Sequence, residues 1–457
     1  MKTIENRRCC SKNIEEKDER LSKAPSDGPL PRFWDGQAGR LILGNQATLR
    51  WLKIPRARYA SLIVALKVGS RHEPEELAGI SHFLEHMLFR GTVRHPSPSI
   101  QSEAIESLGA SINAMTGSEA TWISAILPKE ALSQGLELVA EMLTEPLFED
   151  VDTERNVIRE ELLELYDERR RLIDPDELAA QSMFGKHPLG RSIGGRLTSI
   201  EKIGQKELKA WHKEHYVGAN LVVAVTGAIE ENLVLQGAKL FEKLPTGHPS
   251  TLEPFSQNLV PARPLRMVNA SGSQVEVRIS YFAPGLKDPS WIPASLLARV
   301  LDDGMSARVF RTIVEEKGLA YEAFAEIDAN SDVSLWSFGA LFRPEQALRG
   351  TEALIEIAES TKAMISPREL ERAKRRALFD LELACESPEA RAEMLIEEEV
   401  YGSPALISEI ASKIEKTTIE ELLEVARSSF QPNLRSIVAV GPLDRLLRKS
   451  LRQIARS

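Results

Sequence analysis

The sequence predicts an α+β fold of two homologous domains, each a mixed, mainly antiparallel β-sheet packed with helices. The first supporting observation is an internal repeat. Strand, helix and hairpin patterns of the first half recur about 213 residues later, and this is the distance from Gly91 to its counterpart Gly304. The second is a pair of strand patterns, 111–116 and 121–127, joined by a short loop that is typical of an antiparallel hairpin. The long period indicates a duplicated domain and excludes a solenoid, whose repeats run to about 50 residues.

The remaining elements follow from apolar periodicity. Buried strands are expected over 60–68 and Leu221–Gly227, because both are near-continuous apolar runs. Helices in the first half are predicted over 102–108, 128–143, 152–172, 208–215 and 230–244. Strand patterns that echo the first half are found at 275–282, 321–342 and 435–441.

Composition shifts along the chain suggest domain boundaries. The 457 residues are enough for two or three domains. Residues 1–34 are polar and rich in Lys, Glu, Ser and Pro, which predicts a disordered extension. The first domain is expected over 35–245 and its homologue over 265–457. Residues 246–264 are rich in Pro, Gly, Ser and Thr and are predicted to be a linker.

The overall balance is that of an ordinary globular protein, with 42% hydrophobic and 27% charged residues. A net charge of −9 argues against bulk attraction to nucleic acid or to an anionic membrane. No run of 18 apolar residues predicts a membrane span. Cys9, Cys10 and Cys385 cannot form a disulfide framework, which suits a reducing compartment. The N-terminal residues lack the apolar core of a signal peptide, so the cytoplasm is the expected location.

Two basic stretches, 372–376 and 445–456, could suggest a polyanion. Both have leucines at core spacing in a helical pattern and lack interleaved aromatic residues for base stacking. They are therefore predicted to be solvated helix faces, and no nucleic-acid partner is expected.

The most informative stretch is His82-Phe-Leu-Glu-His86, in the pattern H-x-x-E-H. On a helix, two histidines four residues apart lie on one face, and Glu85 lies near both imidazoles. Such a pair is a zinc-binding arrangement, and a nearby carboxylate that is not a ligand can act as general base. Two buried core histidines are the alternative, although a shared metal would give all three polar groups a partner.

A third ligand is expected from the charged helix predicted over 152–172. Glu154 and Glu161 are seven residues apart and share a partly apolar face. Glu161 is therefore the candidate, but spacing alone does not choose it over Glu160 or Glu164.

The second copy lacks the motif. With Gly304 aligned on Gly91, Ser295, Ala298 and Arg299 stand where His82, Glu85 and His86 stand in the first copy. One metal-binding copy and one copy that shapes a substrate cavity are therefore expected.

The chain resembles the pitrilysin, insulin-degrading enzyme and mitochondrial processing peptidase family of zinc metallopeptidases. The resemblance extends over nearly the whole chain from about residue 39. It rests on the segments Val68–Pro74, Gly79–Gly91, Ile112–Thr116, Glu154–Glu161, His187–Arg191, Gly304–Phe310 and Gly318–Tyr321. The length is similar to that of processing-peptidase subunits, which implies two homologous domains per chain and a clam-like dimer.

The resemblance implies a role for each matching residue. His82, His86 and Glu161 would bind one Zn²⁺ per chain, Glu85 would be the general base, and Glu154 would support the site. The strand of Ile112, Asn113, Ala114, Met115 and Thr116 would bind substrate as an added strand. The family also uses an Arg and a Tyr, seven residues apart in a C-terminal domain, to hold the substrate. Tyr321 matches the Tyr, but Val314 stands at the Arg position.

These observations favour a zinc endopeptidase that hydrolyses extended peptides or flexible segments inside a closed chamber. Residues 35–245 would be its catalytic domain. Because Val314 replaces the family arginine, the chain is expected to be the catalytic half of a heterodimer. A homodimer in which Arg311 substitutes is the runner-up. Two alternatives without hydrolysis are an assembly subunit and a peptide-binding carrier of the same fold.

Overall fold

The computed structural model describes residues 32–255, 259–404 and 406–456. Its strands are β1 Gly39–Ile42, β2 Thr48–Lys53, β3 Tyr59–Leu66, β4 Ser111–Thr116, β5 Thr121–Pro128, β6 Leu221–Gly227, β7 Leu265–Asn269, β8 Val275–Pro284, β9 Ala323–Asp328, β10 Val333–Phe342 and β11 Ser436–Gly441. Its α-helices are α1 Ile80–Met87, α2 Pro98–Ser107, α3 Leu132–Thr144, α4 Val151–Leu163, α5 Pro175–Phe184, α6 Leu197–Ile200, α7 Gln205–His215, α8 Glu231–Ala238, α9 Trp291–Leu301, α10 Arg308–Phe310, α11 Ala347–Ala363, α12 Pro367–Glu386, α13 Pro388–Tyr401, α14 Ile407–Lys416, α15 Ile419–Ser429 and α16 Arg445–Ile454.

The strands form two sheets of matching topology. The first has the order β1-β2-β6-β3-β5-β4, and the second has the order β7-β11-β8-β10-β9. In the first sheet β2 and β6 are parallel, and in the second β7 and β11 are parallel, whereas all other pairs are antiparallel. The second sheet thus repeats the first from β2 onward, and β1 is an added edge strand. The predicted α+β fold of two homologous units is confirmed.

The two halves of the chain exchange helices. α13, from the second half, packs on β3 and β6 of the first sheet, where Leu395 and Ile396 contact the cluster that contains Ile63 and Val222. In return, α5 from the first half packs on β8 and β11 of the second sheet. β3 and β6 therefore have helices on both faces, which explains why their sequences are continuous apolar runs.

The helix predicted over 152–172 is shorter in the structure, where α4 ends at Leu163. Asp167 accounts for the difference, because its side chain accepts hydrogen bonds from the backbone N–H groups of Arg169 and Arg171. Such local bonds compete with helical ones. The chain turns there, with Arg170 in the left-handed region at φ 57°.

The N-terminal extension predicted over 1–34 lies outside the described residues up to residue 31, as do Cys9 and Cys10. Trp34 is buried, at 2% exposure, in the cluster beneath α13. Cys385 is a buried free thiol. None of the helices in the described ranges is long and apolar enough to span a membrane.

A buried ionic joint connects the two halves. Arg71, whose side chain is fully buried, donates to Glu119 at 2.5 Å and to both carboxylate oxygens of Asp332 at 2.6 and 2.8 Å. Glu119 also accepts from the backbone and hydroxyl of Ser331. The β4–β5 loop of the first sheet is thereby tied to the β9–β10 loop of the second.

Removing this joint should destabilise the protein. We expect Arg71→Ala to lower the free energy of unfolding by about 3–5 kcal/mol, because Glu119 would keep a buried charge without its cation. Urea unfolding followed by circular dichroism measures the loss. Lys53→Ala, which removes an exposed ion pair with Glu230, is the control and should cost less than about 1 kcal/mol. Equal losses in the two variants would contradict this role of Arg71.

Candidate metal centre

The helix that carries the histidines is fixed at its N-terminus by Glu73. The buried Glu73 carboxylate accepts hydrogen bonds from the backbone N–H groups of Gly79 and Ser81, at 2.6 and 2.8 Å. Burial raises the pKa of Glu73 to about 7, although these bonds oppose the shift. Gly79 precedes α1 with φ 95°, a left-handed conformation that favours glycine. Because the apolar residues of α1 are buried in the core, His82 and His86 lie on the face toward α4.

The structure brings His82, His86 and Glu161 together. The Nε2 atoms of the two histidines are 3.3 Å apart. The Glu161 carboxylate oxygens lie 3.6 Å from His82 Nε2 and 3.7 Å from His86 Nε2. In the part of the chain that the structure describes, this is the group of His, Cys, Asp and Glu residues that could hold a metal ion.

These separations fit zinc. Tetrahedral bonds of about 2.0–2.2 Å to nitrogen and oxygen place neighbouring ligand atoms about 3.3–3.5 Å apart. Burial, and secondarily the charge of His86, lowers the pKa of His82 to about 4, so its imidazole is neutral at pH 7. The donor set of two imidazoles and one carboxylate also leaves a fourth position open, as in catalytic zinc sites.

Glu154 orients one of the two histidines. Its carboxylate accepts from His86 Nδ1 at 2.7 Å, which leaves Nε2 directed at the candidate metal position. Burial alone would lower the pKa of His86, but the hydrogen bond and charge of Glu154 outweigh it and raise the pKa. Glu154 is buried and also lies 3.4 Å from Arg90. It therefore has the contacts expected of a supporting carboxylate.

Glu85 lies between this centre and the edge of the sheet. Its carboxylate accepts a hydrogen bond from the Thr116 hydroxyl at the end of β4. Burial raises the pKa of Glu85, and the Thr116 bond opposes that shift. The Thr116 hydrogen bond thus orients the Glu85 carboxylate, which is not one of the three candidate ligands but lies next to His86 in the sequence.

β4 is the terminal strand of the first sheet and pairs there with β5. Along Ser111–Thr116 exposure alternates, so that Ile112 and Ala114 pack toward the core, whereas Asn113 and Met115 are exposed. An unpaired strand edge offers backbone donors and acceptors to an added peptide strand. The Thr116–Glu85 contact places this edge beside the candidate centre.

The structure does not bring Tyr321 to this centre. Tyr321 is 93% exposed, and within the described ranges no hydrogen bond or ion pair joins it to the metal-site residues. Val314 is half-buried and packs on the core of the second half. Residues Arg311–Glu316 form a π-helix, in which Arg311 pairs with Glu316 at 3.3 Å. The wider turn removes the α-helical i, i+3 relation that would place Arg311 over Val314.

Three structural features around the candidate centre were not predicted from the sequence: the ionic joint of Arg71, the cap that Glu73 forms on α1, and the hydrogen bond from the Thr116 hydroxyl to Glu85. The cap had a readable signal, since Glu73 precedes a helix that begins after a glycine. The other two depend on contacts between segments that are 31 or more residues apart. No local pattern marks such contacts.

Comparisons with known proteins agree with this fold. A model described as Insulinase (Peptidase family M16) matches residues 52–196, and one described as Peptidase M16 inactive domain matches residues 202–377. A solved protease from Helicobacter pylori has the same fold, with a TM-score of 0.82 at 22% identity over 89% of this chain and 100% of that one. The fold is that of the M16 peptidases. Since the two models together match well over half of its residues, the chain belongs to peptidase family M16.

Relatives in bacteria share sequence as well. An uncharacterized zinc protease of Streptomyces coelicolor is 32% identical over 305 residues, which are 64% of this chain and 65% of the relative. The aligned region thus spans slightly less than two thirds of that relative. An uncharacterized zinc protease of Mycobacterium bovis is 29% identical over 385 residues, 82% of this chain and 86% of the relative. These names support a zinc-dependent peptidase.

Proposed function

We propose that the chain is a zinc endopeptidase that hydrolyses extended peptides or flexible polypeptide segments. The observation that supports this most strongly is the convergence of His82, His86 and Glu161 within 4.8 Å, with Glu85 beside them. Residues 35–245 would form the catalytic domain, 246–264 the linker and 265–457 the homologous domain without metal. One Zn²⁺ per chain would be held by the three converging residues.

In the proposed reaction, the residues of the chain divide three tasks. Bound zinc would supply a Lewis acid that polarises the substrate carbonyl and makes water more acidic. Glu85 accepts the proton of the attacking water and returns it to the leaving amine. Glu154 keeps His86 in the orientation and tautomer that a ligand needs. The free edge of β4 aligns the peptide backbone as an added strand. This mode of binding depends on an extended peptide conformation more than on side-chain identity.

A digest of a random peptide library tests this proposal. Incubation with the zinc-loaded chain should yield new termini detected by mass spectrometry, and a chelator should abolish them. Intact peptides under both conditions, with or without a homologous partner chain, would favour an assembly subunit. Intact peptides that nevertheless bind would favour a peptide carrier.

We further propose that the chain works as the catalytic half of a heterodimer with a homologous subunit. The supporting observation is Val314, an apolar, half-buried residue where the family uses a substrate-holding Arg. The isolated chain is expected to be at least about 10²-fold less active than the dimer, the effect of losing one positioned donor. Native mass spectrometry and peptidase assays of the chain alone measure this. A fully active homodimer that is indifferent to Val314→Arg would rule out the heterodimer.

A further inference from the structure

A cavity of about 1320 Å³ lies in the second half of the chain, between the end of α11, the α12 residues 368–382 and the segment 306–315. Seven of the side chains that line it are arginines and four are glutamates. We call it the arginine cavity. The basic stretch 372–376 contributes three of these arginines, of which Arg372 is half-buried and Arg375 and Arg376 are exposed, as expected of a solvated helix face.

Four of the seven arginines have carboxylate partners. Arg308 forms a two-pronged pair with Glu369 at 2.6 and 2.9 Å. The other three pairs are Arg32 with Glu382, Arg376 with Asp303, and Arg311 with Glu316. The charges of these four arginines are therefore at least partly compensated.

The other three, Arg368, Arg372 and Arg375, have no carboxylate within ion-pair distance among the residues that the structure describes. Arg372 is held in place by the backbone carbonyl and hydroxyl of Ser306, at 2.9 and 3.0 Å from its Nη1. These partners are neutral, so they orient the guanidinium without cancelling its charge.

The spacing of the three arginines places them on one face of α12. Residues i, i+4 and i+7 lie above one another and span about 10 Å of helix. Like charges at this spacing repel and destabilise a helix by about 0.2–0.5 kcal/mol per pair. A bound anionic group would convert that cost into attraction, because guanidinium binds carboxylates with two parallel hydrogen bonds.

The same cavity also offers apolar surface, which narrows the ligand class. Phe379, one turn beyond Arg375 on α12, is 55% exposed, and Met364 is 67% exposed. Glu315 and Glu371 line the cavity as well, so a ligand must place its own carboxylates beside the arginines and away from these two residues. Two turns of a peptide helix, about 10 Å wide and 10 Å long, fill roughly 800 Å³ and fit the volume.

We infer that the arginine cavity binds an acidic, amphipathic peptide segment, whose carboxylates pair with Arg368, Arg372 and Arg375 and whose apolar side chains contact Phe379. The inference rests on the cavity and does not require hydrolysis. Binding can therefore fail or succeed independently of the peptidase activity.

Fluorescence anisotropy with the full chain tests the inference. The probe is a labelled peptide of about 12 residues with three glutamates at i, i+4 and i+7 and two leucines on the same face. We expect R368Q/R375Q to weaken its binding at least about 10-fold. The control is R445Q/R452Q, which removes the same charge at the same spacing from exposed positions of α16 and should weaken binding less than about 2-fold.

Three further outcomes decide the matter. A matched peptide with glutamine in place of glutamate should bind at least about 10-fold more weakly if carboxylates are recognised. Equal weakening by the two double variants would show nonspecific attraction and overturn the inference. Displacement of the probe by inorganic triphosphate at a lower concentration than by unlabelled peptide would also overturn it, in favour of a small-anion site.

Discussion

Glu85→Gln is expected to lower peptide hydrolysis about 10²-fold or more while the zinc content stays at the wild-type level. Glutamine keeps the shape of the side chain and can still accept the hydrogen bond from Thr116. It cannot take a proton from water at neutral pH. The zinc content should persist, because Glu85 is outside the group formed by His82, His86 and Glu161.

The measurement is the rate of cleavage of a fluorogenic peptide beside metal analysis of the same preparation. Glu76→Gln is the matched control, since Glu76 is an exposed carboxylate shortly before the same helix. It should retain full activity. Wild-type rates in Glu85→Gln would remove Glu85 from the role of general base, and loss of zinc would make it a ligand instead.

Glu161→Gln is expected to weaken zinc binding by more than about 100-fold, beyond the 10–100-fold typical of outer-shell partners. Its carboxylate is near the Nε2 atoms of both histidines, and a neutral amide is a poor substitute for a charged oxygen ligand. Competition with a chromogenic chelator measures the affinity.

Glu160→Gln supplies the comparison for this second experiment. Glu160 is exposed and points about 100° away around α4, so its loss should change zinc affinity little. A larger loss in Glu160→Gln than in Glu161→Gln would reassign the third ligand.

The helical placement of the candidate site could be predicted from the sequence more fully than its long-range contacts. His82, Glu85 and His86 belong to one helix, where the spacing alone determines the shared face. Glu161 approaches them only because α4 packs on α1, and spacing could not select it over Glu164.

The fold shows the same division. Strands such as β6 were readable because burial on both faces makes the run uniformly apolar. The end of α4 was missed because the hydrogen bonds of Asp167 compete with the helix. The Arg71–Asp332 pair joins residues 261 positions apart, which no periodicity reveals.

The exchange of α5 and α13 between the halves has a consequence for synthesis on the ribosome. All strands of the first sheet are made once Gly227 has emerged, but the helix that covers one face of β3 and β6 ends only at Tyr401. At about 5–20 residues per second, roughly 9–35 seconds separate the two events. During that interval Ile63, Ala65 and Val222 lack the helix α13 that covers them in the finished fold. The nascent first half is therefore open to chaperone binding and to aggregation at this stage.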